Sequence, residues 1–138
     1  MIVFGAPNEV DDHELKAVEC AVEMRKVLDE LNNEWDEVEF SRYWKNHGIN
    51  KVEARAGIHS GSVIAGNIGS DRMLQYSAIG DVGNVAARLE QSNKEFGTDI
   101  CFSHEIYINL KKDLHDSASL SGEIKLKGRS SPLKVYSI

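Results

Sequence analysis

The sequence predicts a mixed fold, with two long helices set among short strands. Three observations carry that reading. Apolar residues recur at steps of three and four between positions 12 and 32. Apolar and polar residues alternate over 51–59 and again near the C-terminus. Between these regions, residues 76–90 read as a strand end, a tight turn and a helix.

The chain has 138 residues, 41% hydrophobic and 28% charged, which suits one domain with a real core. Its net charge of −6 argues against a nucleic-acid polymer or an anionic membrane surface as main partner. A small anionic ligand needs only a local positive cluster and stays open. Cys20 and Cys101 fall in a helical and a strand pattern, so both read as reduced core residues. No apolar run approaches the roughly 18 residues of a membrane span, and no signal peptide is visible.

Taken in order, residues 1–5 form a short apolar run stopped by Gly5-Ala6-Pro7. They read as a buried strand that starts abruptly, which suggests a missing upstream part. Over 12–32, Ala17, Ala21, Met24, Leu28 and Leu31 make an apolar stripe, widened by Leu15, Val18 and Val22. Asp11 or Asp12 can cap this helix, with Glu14 in its first turn. A cap explains Asp11, Asp12 and His13 better than a metal site does. Residues 33–50 are polar and irregular, with Trp35, Phe40, Tyr43 and Trp44 interspersed. Those aromatics are expected to cover the end of the core, with a partner subunit as the alternative.

In 51–59, Val52, Ala54, Ala56 and Ile58 share one face. Ser60-Gly61 is expected to turn the chain into 62–69 as a hairpin. The glycines there lack the Gly-Lys-Ser/Thr ending of a phosphate loop, so they read as turns and close approaches. His59 reads as a structural hydrogen-bonding residue. A strand over 73–79 then leads to Gly80, which can take positive φ, and to Asp81, a good N-cap. With Asp81 as cap, Asn84 is the third helical residue and Arg88 lies one turn on, along the same face. An amide, a guanidinium and free backbone N–H groups then converge near the positive end of the helix dipole, where an anion can bind. On spacing alone, a plain amphipathic helix with solvated Asn84 and Arg88 is the favoured reading. Gly97 is a natural C-cap, residues 99–102 a strand, and Ser103 the cap of a small helix running to Leu110. Residues 115–121 read as a loop. Residues 123–127 and 133–138 read as a hairpin around the turn at 128–132.

Ile79-Gly80-Asp81-Val82-Gly83-Asn84-Val85-Ala86-Ala87-Arg88-Leu89-Glu90 resembles the signature of class III nucleotidyl cyclases, the adenylate and guanylate cyclase catalytic domain. Phe4-Gly5-Ala6-Pro7, Arg55-Ala56-Gly57-Ile58-His59-Ser60-Gly61, Ala65-Gly66-Asn67-Ile68-Gly69 and the C-terminal stretch from Leu126 to Tyr136 are also similar to that family. Gly83 departs from it, standing where the family has an apolar residue. The resemblance covers nearly all of this chain but only the later part of the family's domain.

It implies an α+β fold, a ferredoxin-like, palm-type sheet flanked by helices, with residues 1–138 as a single partial catalytic domain. It implies conversion of ATP, with GTP left open, to a 3′,5′-cyclic nucleotide and pyrophosphate. Asn84 then holds the ribose and Arg88 stabilises the transition state. Arg129 contacts phosphates, and Ser77 helps choose the base. It further implies two Mg2+ or Mn2+ ions whose carboxylates lie upstream of Met1, so this chain is expected to be inactive alone. The implied partner is a second cyclase domain, in a homodimer joined head to tail. The implied setting is cytoplasmic intracellular signalling, in a parent protein that can be membrane-attached. The alternative is a non-catalytic dimerisation or regulatory half of a cyclase.

Overall fold

The computed structural model describes residues 1–70, 72–126, 128 and 131–138. Its organising strand is β4 (Ile100–Ser103), buried along its whole length. Strand β1 (Ala56–Ile58) runs parallel to β4 on one side. Strand β6 (Leu133–Ser137) runs antiparallel on the other, and β5 (Ser119–Ile124) pairs with β6. The resulting sheet has the order β1-β4-β6-β5.

Side chains alternate across a strand, so β4 serves two cores. Ile100 and Phe102 pack with Val18 and Ala21 of helix α1 (His13–Glu37) and with Ile106 of the short helix α4 (His104–Tyr107). Cys101 joins Val85 and Leu89 of helix α3 (Asp81–Phe96), together with Ile124, Leu133 and Val135. Helices thus cover both faces of a mixed sheet, the α+β arrangement expected. Full burial of each large apolar side chain here contributes about 1.5–3 kcal/mol.

Helix α3 is held unusually close to β1. A Cβ on Gly57 would lie 2.2 Å from both the Ala86 carbonyl oxygen and the Glu90 amide nitrogen. Only glycine admits that approach. Buried Asn93 reinforces it by donating to the Ala56 carbonyl at 2.9 Å. Gly97 ends α3 in the left-handed conformation, at φ 67°, as expected. Helix α1 starts after Asp12, one of the two expected caps, although the Asp12 carboxylate makes no capping hydrogen bond.

Several expectations need correction. Residues 1–5 form no strand, and Met1 is 90% exposed. Strand β1 pairs only with β4 among the described strands, so this apolar run has no ladder beside it. Residues 51–59 and 62–69 do not form a hairpin. Strand β2 (Ile64–Ser70) pairs instead with β3 (Met73–Ile79), in register from Ile64 opposite Ile79 to Ser70 opposite Met73. Alternation identifies a strand but not its partner, and the contact of Gly57 with α3 draws β1 into the main sheet. The loop expected over 115–121 contains the end of helix α5 (Lys112–Ser117) and the start of β5. Helix α5 is anchored by half-buried Leu114, with Ala118 just beyond it, too little apolar pattern to read from sequence.

The aromatics from the last turn of α1 onward do not join the core. Trp35, Phe40 and Trp44 pack on one another, with ring centroids 5.4–6.2 Å apart. Phe40 and Tyr43 remain exposed. Helix α2 (Arg42–Lys45) lies in this segment, and Lys45 pairs with Asp36 at 2.6 Å.

Candidate active site

Helix α3 is the element that builds the site. Asp81 is its first residue and Gly80 precedes it as N-cap, so the expected Asp81 cap is shifted by one position. A glycine in the cap position brings no side-chain hydrogen bond to the first turn. Asn84 is therefore the fourth helical residue rather than the third. Its four-residue spacing to Arg88 is unaffected, and the two lie on one face.

That face borders a cavity of about 410 Å3 lined by Asp81, Asn84, Val85, Arg88, Lys125 and Leu126. Val85 is buried in the core beneath, while Leu126 packs against the same core from the strand side. Asn84 and Arg88 are solvent-accessible, as residues receiving a ligand must be. An Arg88 guanidinium N–H donates to the Gln91 Oε1 at 3.1 Å, and the Ser92 hydroxyl donates to the Arg88 carbonyl at 2.8 Å. The first contact orients the guanidinium, and the second ties its helical turn to the buried side.

Among the described residues, the charges bordering this cavity are the Arg88 guanidinium, the Lys125 ammonium and the Asp81 carboxylate. With the amide of Asn84 and the opening turn of α3, they make a site suited to an anion that also carries hydroxyl groups. Sequence reading missed Lys125. The available signal was its place between Ile124 and Leu126, both held by the core. A lysine in an alternating stretch ordinarily reads as solvated.

Ser77 is half-buried on β3, opposite Gly66, and does not line this cavity. Arg129 lies outside the described residues. His59 holds the structural place expected of it. Its ring is 4% exposed, with Nδ1 2.8 Å from the Ser103 hydroxyl and 3.8 Å from a Glu105 carboxylate oxygen. It joins the end of β1 to the start of α4. The Ser103 hydroxyl is thus committed to His59 and makes no capping hydrogen bond to α4. Burial pushes the Cys101 thiol up, while a hydrogen bond with Thr98 partly opposes the shift. A thiol held neutral in this way is an inert core residue.

Among the described residues, no three His, Cys, Asp or Glu side chains gather as a metal site requires. Asp81 is the one carboxylate among the described residues that borders the cavity. The described residues do not form a two-metal centre.

The chain belongs to the adenylate and guanylate cyclase catalytic domain family, whose model matches residues 1–138. The chain is 32% identical to adenylate cyclase 1 of Rhizobium meliloti (strain 1021), over 99% of its own length and 19% of that protein. It is 28% identical to an adenylate cyclase of Anabaena cylindrica, over 88% of its length and 24% of that protein. The guanylyl cyclase Cya2 superposes with a TM-score of 0.73 at 28% identity, covering 97% of this chain and 61% of that one. The adenylyl cyclase CyaB from P. aeruginosa superposes with a TM-score of 0.69 at 30% identity, covering 97% of this chain and 63% of that one. The chain thus spans about a fifth of those curated relatives and under two thirds of the solved domains. No helix among the described residues is long and apolar enough to cross a membrane.

Proposed function

We propose that residues 1–138 are part of one adenylate cyclase catalytic domain that converts ATP to 3′,5′-cyclic AMP and pyrophosphate. The observation that carries this reading is that Asn84 and Arg88 open onto one cavity from one helical face. In the reaction, the ribose 3′-oxygen bonds to the α-phosphorus and the hydroxyl proton is released. The bond from that phosphorus to the bridging oxygen breaks, and pyrophosphate leaves.

Negative charge builds on the α-phosphate oxygens in the transition state, and a fixed guanidinium stabilises that state more than the ground state. Arg88, oriented by Gln91, takes this role. Asn84, one turn away, holds the ribose and so turns the 3′-hydroxyl toward phosphorus. Arg129 is assigned to the phosphates and Ser77 to the base on family resemblance. Metal carboxylates must come from outside the described residues, so this chain alone is inactive and works as half of a pair, a homodimer in the parent protein. A nucleoside triphosphate substrate fits work in the cytoplasm.

GTP is the second reading of the substrate. The superposition on a guanylyl cyclase supports it, and Ser77 fits adenine only loosely. One experiment tests both. This chain is mixed with a cyclase domain that keeps its metal carboxylates but has lost its Asn and Arg, then given ATP or GTP with manganese. Cyclic AMP formed only by the mixture is expected. Cyclic GMP as the product instead would move the assignment to guanylate cyclase. Turnover by this chain alone would overturn the half-site reading.

A further inference from the structure

Between Asn32 and Val52 the chain makes a closed excursion with a small core of its own. Asn32 of α1 clamps the two ends together. Its Nδ2 donates to the Val52 carbonyl at 2.9 Å, and its Oδ1 accepts from the Val52 N–H at 2.9 Å. Inside the clamp, Trp35, Phe40 and Trp44 pack on one another, and none of them joins the cores of the main sheet. Two ion pairs brace the backbone, Asp36 with Lys45 and Glu39 with Arg42. A surface segment whose ends meet, and which packs on its own side chains, is frequently functional. The α3 cleft uses none of these residues.

The outer surface of this segment is apolar. Val38, Phe40 and Tyr43 are 62–75% exposed. The uncompensated charge beside them is negative. Glu30, Glu34 and Glu37 follow at steps of four and three along one face of α1, leading up to Val38. Among the described residues, none of the three has an ion-pair partner. Arg42 and Lys45 are already engaged with Glu39 and Asp36, and Lys51 stands at the far end beside the clamp. This charge selects among occupants. An anionic lipid surface is repelled by the carboxylate row. A second copy presenting the same face would set like charge against like charge.

We propose that Val38, Phe40 and Tyr43, with the carboxylate row of Glu30, Glu34 and Glu37, form a docking surface for a basic amphipathic segment of a partner protein. Lysines or arginines of that segment meet the carboxylates, and its apolar edge covers the three exposed side chains. The self-packed aromatics and the Asn32 clamp hold the surface in shape before the partner arrives, which lowers the ordering cost of binding.

Trp35 and Trp44 are the only tryptophans of the chain, so intrinsic fluorescence reports this segment alone. The probe is a synthetic peptide of leucine and lysine that forms an amphipathic helix of about four turns. Titrated into the 15N-labelled chain, it should shift the tryptophan emission and move the amide resonances of residues 30–43, leaving those of α3 in place. A leucine–glutamate counterpart should do neither. Val38→Ser with Tyr43→Ser, which leaves the packing of Trp35, Phe40 and Trp44 intact, should weaken peptide binding about tenfold. Glu34→Gln with Glu37→Gln should weaken it by a similar factor and flatten its salt dependence. Asp113→Asn with Asp116→Asn, an equal change of charge on α5, should leave it unchanged. Equal weakening by the α5 pair would overturn the proposal, because the effect is then one of overall charge. No response of the wild-type chain to the leucine–lysine peptide would overturn it outright. Movement of the same resonances on raising the chain's own concentration would give the face to a second copy. Tighter binding to phosphatidylserine vesicles than to the peptide would give it to a membrane, and either result overturns the assignment.

Discussion

The four-stranded sheet and the β2–β3 hairpin both carry large apolar side chains on their strands, yet they meet opposite fates. In the sheet, β4 is buried on both faces and each alternate side chain enters a different core. In the hairpin, Ile64, Ile79 and Met73 on one face, and Leu74 on the other, remain 56–77% exposed. Apolar strand residues therefore give a stabilising element in one place and a projecting one in the other. The difference lies in what covers the strand. Helices α1 and α3 close over β4, and nothing comparable closes over β2–β3 among the described residues. The sheet supplies the free energy that fixes α3, and the hairpin delivers the chain into its first turn.

The comparison is broken most severely by removing a side chain from the sheet's core. Leu89→Ala, at a fully buried position, should cost about 2–5 kcal/mol of stability in denaturant unfolding. Gly57→Ala comes next, since its Cβ must displace the α3 backbone at Ala86 and Glu90. Overpacking there should cost about 1–3 kcal/mol. It should also shift the amide resonances of residues 84–88, because the face carrying Asn84 and Arg88 moves with the helix. Unfolding unchanged in this variant would mean that α3 is not seated by that contact. In the hairpin, Met73→Ser should change stability by no more than about 0.5 kcal/mol. A larger loss would show that the hairpin is covered in solution.

The smallest effect lies in the aromatic segment that begins in the last turn of α1. A hydrogen bond from Lys45 holds the Asp36 carboxyl below its ordinary value, and Ser41 adds to the shift. The folded state thus favours the ionised form. The resulting stabilisation is present above the ordinary value of 3.8 and is lost as pH falls through the lower folded value. Tryptophan fluorescence from Trp35 and Trp44 should stay constant down to about pH 4 and change only below it. A change centred between about pH 5 and 7 would show that other groups, histidine first among them, hold this segment.

What was legible in the amino-acid order follows the same division. Helix α1, the strand–turn–helix at α3 and the Gly97 cap could be read because local periodicity and cap chemistry specify them, and so could the C-terminal hairpin as a pairing, although its first strand is Ser119–Ile124 rather than 123–127. The partner of β1 could not, because parallel pairing with β4 joins residues 44 positions apart and leaves no local trace. Residues 1–5 misled because an apolar run looks buried whether or not a neighbouring strand exists to bury it. At the site, Asn84 and Arg88 were legible from helical spacing, with Asp81 misplaced by one position. Lys125 was not, since only the packing of Ile124 and Leu126 against α3 brings it to the cleft.

The most direct test of the half-site account is the kinetics of Arg88→Ala, measured in the mixture with a complementing domain that carries the metal carboxylates. An interaction made chiefly in the transition state lowers kcat and leaves KM nearly unchanged. The account predicts a kcat lower by about 10²–10³-fold, with KM within about threefold of wild type. A kcat retained at the wild-type level in a folded complex would contradict it.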